Sequence, residues 1–75
     1  MGLLRRLLDM FLLAALKYEP LSGYDLMALL SREFGLVISS GTIYSTLYTL
    51  EREGYVDGDS DGKRRIYRLT KLGSE

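Results

Sequence analysis

Ser39–Thr70 reads SSGTIYSTLYTLEREGYVDGDSDGKRRIYRLT, and the order of signals in it decides the fold. Paired serines stand before a run in which Ile43, Leu47 and Leu50 recur at helical spacing. Gly54 follows Glu51-Arg52-Glu53 and stops that helix. Tyr55-Val56 opens a strand, Asp61-Gly62 is a two-residue hairpin signal, and a basic strand runs on to Thr70. The stretch is a helix followed by a β-hairpin.

Both parts have two distinct faces. Opposite the Ile43, Leu47, Leu50 stripe, the helix carries Gly41, Ser45, Tyr48, Thr49 and Arg52, with Thr42 and Tyr44 at the flanks. Centring the turn on Asp61-Gly62 sets Asp59 opposite Arg64, Asp57 opposite Ile66, Val56 opposite Tyr67 and Tyr55 opposite Arg68. Val56, Tyr67 and Leu69 then share the core side. One arm is acidic (Asp57, Asp59, Asp61) and the other basic (Lys63, Arg64, Arg65, Arg68).

A helix beside a cationic hairpin suits duplex DNA. The helix fits the major groove, and the hairpin reaches the backbone or the neighbouring minor groove. The candidate contacts are Ser39, Ser40, Gly41, Thr42, Tyr44, Ser45, Tyr48, Thr49 and Arg52 on the helix, with Lys63, Arg64, Arg65 and Arg68 on the wing. Hydroxyls and one long donor favour phosphate and sugar over base edges. The chain has no Asn or Gln, so the bidentate contact to adenine is not available. Ser39 is first a helix cap, and the helix end it caps attracts anions.

Outward from this unit, Leu3–Lys17 is a first helix. Leu4, Leu8, Phe11 and Ala15 follow helical spacing, and Leu3, Leu7, Met10 and Ala14 widen the stripe, leaving Leu12, Leu13 and Leu16 outside it. A helix so nearly apolar all round is buried on more than one side. The second side is expected to face another copy of the chain, through Leu3, Leu7, Met10, Leu13 and Ala14. Pro20 breaks the chain, Ser22 caps a second helix with Asp25 three residues on, and Gly35 ends it. Leu26, Leu29 and Leu30 are its buried stripe. Leu36-Val37-Ile38 is β-prone and is expected to form a short strand beside the wing.

Composition narrows the chemistry. Seventy-five residues imply one domain, 1–75, with a small core. There is no Cys and no His, hence no disulfide, no ordinary zinc site and no Ser-His or Cys-His nucleophilic pair. No glycine-rich phosphate loop is present. No enzyme activity, metal or cofactor is expected. Arg5-Arg6 before Leu7–Leu16 looks like a signal segment, but Asp9 interrupts the run and Met10–Leu16 is too short to span a bilayer. The segment reads as a core helix of a cytoplasmic protein with no membrane partner.

Together the pieces resemble the PadR-like branch of the winged-helix transcription regulators. LLAALKYEPLSGYDLMALLSREFG matches the family's helix, Pro-containing turn and Gly-Tyr entry into the second helix. Ser39-Ser40-Gly41-Thr42-Ile43-Tyr44, Leu50 to Val56, and Tyr67-Arg68-Leu69-Thr70 match three of its motifs in order, with Ser40 standing where the family has Pro. The resemblance implies a mostly α fold with a small β-hairpin wing, a winged helix-turn-helix of order α, α, short β, α, β, β. It also implies a homodimeric repressor that contacts double-stranded DNA through its third helix and wing. Family members continue into a long C-terminal dimerisation helix, which would begin where this sequence reaches Glu75. No small-molecule effector follows from the residues.

A second class of function stays open. Net charge is zero, whereas a basic domain is the usual footprint of a DNA binder. The basic strand taken alone reads as a solvated face paired with the facing aspartates. In that reading the domain is a protein-interaction module, since a fold does not fix a function.

Overall fold

The computed structural model describes residues 2–74, apart from the side chain of Leu4. The elements are α1 (Gly2–Leu16), β1 (Leu21–Ser22), α2 (Gly23–Phe34), α3 (Ser40–Arg52), β2 (Val56–Asp61), β3 (Arg64–Leu69) and a final turn of helix, α4 (Lys71–Ser74). The strands form an antiparallel sheet in the order β1-β3-β2. The architecture is mostly helical with a three-stranded sheet, as expected from the sequence.

The helix boundaries follow local chemistry. Ser22 and Asp25 form a capping box at α2: Asp25 N–H donates to Ser22 Oγ at 3.0 Å, and Ser22 N–H donates to the Asp25 carboxylate at 3.1 Å. At the other end Gly35 closes the helix, its N–H reaching Ser31 O while Leu36 N–H reaches Leu30 O. Ser39 caps α3 by accepting from Thr42 N–H at 3.2 Å. Thr70 ties the far end of the wing to the base of α3, donating from its hydroxyl to Gly54 O at 2.6 Å.

The third strand lies elsewhere than the Leu36–Ile38 run. β1 precedes α2 and pairs Leu21 with Tyr67 and Ser22 with Ile66. An N-cap must adopt extended backbone, and Ser22 does so at φ −82°, ψ 167°. That extended backbone is what lets Ser22 pair with β3. The residues from Leu36 to Ile38 instead complete one cap and lead into the next: Val37 is 90% exposed, and half-buried Ile38 packs on the core just before Ser39.

One cluster makes the core: Leu8, Leu12 and Leu16 of α1, Leu26 and Leu30 of α2, Ile43, Leu47 and Leu50 of α3, Val56 of β2 and Tyr67 of β3. The α2 and α3 stripes are as read, except that Leu29 is half-buried. The α1 stripe is rotated from its expected phase. Leu12 and Leu16 are buried, although the spacing left them outside; Phe11 and Ala15 are half-buried, and Leu4 lies outside the described side chains. Only Arg5, Arg6 and Asp9 interrupt the apolar run of α1, and so narrow a polar wedge does not fix its phase; contact with α3 and β3 decides it.

The wing register also differs by two residues. Observed partners are Val56 with Leu69, Asp57 with Arg68, Gly58 with Tyr67, Asp59 with Ile66, Ser60 with Arg65 and Asp61 with Arg64. The two-residue loop is therefore Gly62-Lys63. Gly62 has φ 68° and no described non-glycine residue has positive φ, so Asp61 does not supply the left-handed first position that an Asp-Gly turn needs. A two-residue shift preserves sidedness, so Val56, Tyr67 and Leu69 still share the inner face.

Candidate nucleic-acid interface

The outer face of α3 is polar and open. Ser40, Gly41, Thr42, Ser45 and Arg52 are exposed, Tyr48 is 63% exposed, and Thr49 is half-buried. The exposure follows from the core stripe, because turning Ile43, Leu47 and Leu50 inward turns this set outward. Ser39 Oγ donates to Thr42 Oγ1 at 2.9 Å, and Thr49 Oγ1 donates to Ser45 O at 3.1 Å. Those two hydroxyl protons are used within the helix, and their oxygens remain acceptors. The Arg52 guanidinium stands 5.8 Å from the Tyr48 ring centre, within cation–π range. Tyr44 lies at the flank, its ring over Gly23 at the start of α2; a Cβ there would fall 2.5 Å from Tyr44 Cε1.

The wing cations are not equivalent. Arg64 and Arg65 leave β3 on opposite faces. Arg64 reaches the Asp25 carboxylate of the α2 cap at 3.6 Å. Arg65 turns to α3, with Nη2 at 2.6 Å from a Glu51 carboxylate oxygen. The same oxygen accepts the Gly58 N–H at 3.3 Å. Glu51 raises the pKa of Arg65, and the Arg65 guanidinium lies 5.7 Å from the Tyr67 ring centre. Lys63 sits in the turn and Arg68 on the outer face of β3; both are exposed, and neither makes a side-chain ion pair within 4 Å among the described residues. Tyr48, Glu51, Arg52, Arg65 and Tyr67 line a shallow cleft of about 410 Å³ between α3 and the wing.

α1 presents Leu3 at 73%, Met10 at 64% and Leu7 at 43% exposure, with Ala14 also open. Leu13, the remaining residue expected there, is half-buried and packs on the core. No helix among the described residues is long and apolar enough to cross a membrane.

Glu51, Asp25 and Gly58 were not singled out as wing partners by the sequence reading. A signal for the first existed. Placing Tyr67 and Leu69 on the inner side of their strand also places Arg65 there by the two-residue period, facing the helix rather than solvent. Nothing local marks the Asp25–Arg64 contact, which joins residues far apart in sequence.

No curated protein sequence matches the chain. Solved structures do. A transcriptional-regulator structure from Thermoplasma acidophilum shares 27% identity at TM-score 0.91, covering 99% of this chain and 74% of its own. A transcriptional regulator from Clostridium thermocellum shares 26% at 0.89, covering 99% of this chain and 76% of its own. Bacillus subtilis PadR, solved with operator DNA, shares 29% at 0.78; the match covers 92% of this chain and 42% of that one. Residues 12–75 match the transcriptional regulator PadR-like family, and the chain belongs to that family.

Proposed function

We propose that this regulator binds duplex DNA as a homodimer and represses transcription, with α3 in the major groove and the wing along the backbone. The observation that carries the reading is the outer face of α3, where hydroxyls, a glycine and the Tyr48–Arg52 pair replace aliphatic side chains. That Bacillus subtilis PadR has been solved on operator DNA supports it. Ser39, Ser40, Thr42, Ser45 and Thr49 offer small polar groups that suit phosphates and tolerate several base edges. Gly41 permits close backbone approach, and Tyr44 and Tyr48 flank the path. Lys63, Arg64 and Arg68 supply wing charge. The Arg64–Asp25 pair is solvent-exposed, and pairs of that kind contribute about 0–1 kcal/mol, so a phosphate can displace Asp25.

The exposed leucines and Met10 of α1 fit a second copy of the chain. A two-fold dimer predicts a pseudo-palindromic site with half-sites about 10 base pairs apart, or a multiple of that. Selection from random duplexes tests this. A recovered site with two-fold character, weakened by Tyr48→Ala and Ser45→Ala, supports the docking. A site without symmetry, or one indifferent to both changes, contradicts it. Zero net charge favours the protein-interaction alternative, which predicts no duplex binding even at low salt.

A further inference from the structure

We infer that Glu51 is a positioning residue for the wing: it straps the hairpin to α3 through Arg65 and the Gly58 amide, and so sets where Lys63 and Arg68 meet the duplex. The inference rests on the DNA-binding reading above and deepens it.

Three elements converge on one carboxylate. Glu51 comes from α3, the Gly58 N–H from β2, and Arg65 from β3, with Arg65 Nη2 and the amide both on the same carboxylate oxygen at 2.6 and 3.3 Å. The wing leaves room for this. A Cβ on Gly58 would stand 2.5 Å from Arg65 Nε and 2.8 Å from Cζ, so a side chain at position 58 would push the guanidinium off Glu51. Buried Tyr67, the cross-strand partner of Gly58, backs the guanidinium from beneath.

The charges argue that Arg65 stays on Glu51 when DNA is bound. A phosphate drawing on this guanidinium would have to break a 2.6 Å charge-assisted bond to a carboxylate that the Gly58 amide also holds, whereas Arg64 stands 3.6 Å from Asp25 in a looser pair. Arg65 therefore acts through geometry. Gly62, at the hairpin tip, lies four residues and so roughly 13 Å beyond Gly58 at about 3.3 Å per strand residue. A small tilt at the strap becomes a large displacement at Lys63. Arg64, on the opposite face, adds a looser tie to α2.

The experiment compares wild type with Glu51→Gln, Glu51→Ala, Arg65→Ala and the Glu51→Ala/Arg65→Ala double variant. Fluorescence anisotropy on one duplex selected from a random pool is followed across salt. Gly58 amide exchange is measured without DNA, and circular dichroism checks folding. The strap predicts that either alanine variant binds about tenfold more weakly with an unchanged log–log salt slope. It predicts a double variant no worse than either single one, partial rescue by Gln, and faster Gly58 exchange in both alanine variants. Tighter or unchanged binding by Glu51→Ala would overturn it. So would a slope that falls by about 0.9 in Arg65→Ala, the mark of a lost phosphate contact, or unchanged Gly58 exchange. If wild type bound no duplex, the DNA reading would fail, and the exchange result would still decide whether the strap exists.

Discussion

The outer faces of α1 and α3 are both helix surfaces left open by the same core, yet their chemistry is opposite. On α1 the open apolar residues are Leu3, Leu7, Met10 and Ala14, with Arg5 and Arg6 exposed toward its start. On α3 they are hydroxyls, Gly41, Tyr48 and Arg52. An aliphatic face in water is stabilised by a matching aliphatic surface. A hydroxyl-rich face with a cation gains nothing from that and is suited to phosphate and base edges. In the function proposed above, the first face receives a second copy of the chain and the second receives DNA.

The largest effects should come where the two helices are alike, on their buried sides. Leu12→Ala on α1 and Leu47→Ala on α3 each remove a fully buried side chain, and each should cost about 2–5 kcal/mol by thermal or denaturant unfolding. A cost well below 1 kcal/mol for Leu12→Ala would mean that α1 is packed in another phase. Met10→Glu should separate the outer faces next. Sedimentation should show loss of the dimer and, with it, weaker duplex binding, whereas Tyr48→Ala should weaken binding and leave the dimer intact. A Met10→Glu protein that sediments and binds as wild type would remove the assignment of the α1 face.

Smaller effects test the caps. Ser39→Ala deletes the acceptor for Thr42 N–H and should lower stability by about 1 kcal/mol. Asp25 gives the smallest signal. The Ser22 backbone N–H, aided by the Ser22 hydroxyl and Arg64, holds its pKa below the ordinary value. A depressed carboxylate contributes stability above its unfolded pKa of about 3.9, and loses it as pH falls through the lower folded value. The stability advantage of wild type over Asp25→Asn should therefore be constant near neutral pH and shrink only in acid below about pH 3.9. An advantage that grows on acidification would contradict the capping geometry.

The same contrast explains what could be read from the sequence. In α3, polar and apolar residues alternate with the helical period, so both the buried stripe and the open face were legible. In α1 nearly every residue is apolar, so the pattern showed a helix without fixing its rotation; Leu12 and Leu16 went to the core through contacts with α3 and β3. The wing's sidedness was legible because it follows the two-residue period. Its register was not, since Asp61-Gly62-Lys63 offers two turns one residue apart and only backbone geometry chooses Gly62-Lys63. β1 was missed because Leu21-Ser22 carries no strand signal of its own and becomes one by pairing with β3. The cationic arm was legible as charge, while the ties of Arg64 to Asp25 and Arg65 to Glu51 are products of tertiary packing.

The most direct test of the central claim is the salt dependence of duplex binding by the unmodified chain. Anisotropy titrations from low to physiological salt should give log affinity falling linearly with log salt, with a slope of about −0.9 for each phosphate neutralised. Lys63→Ala or Arg68→Ala should each reduce that slope by about one contact. Binding that is absent at low salt, or indifferent to salt, would contradict the account.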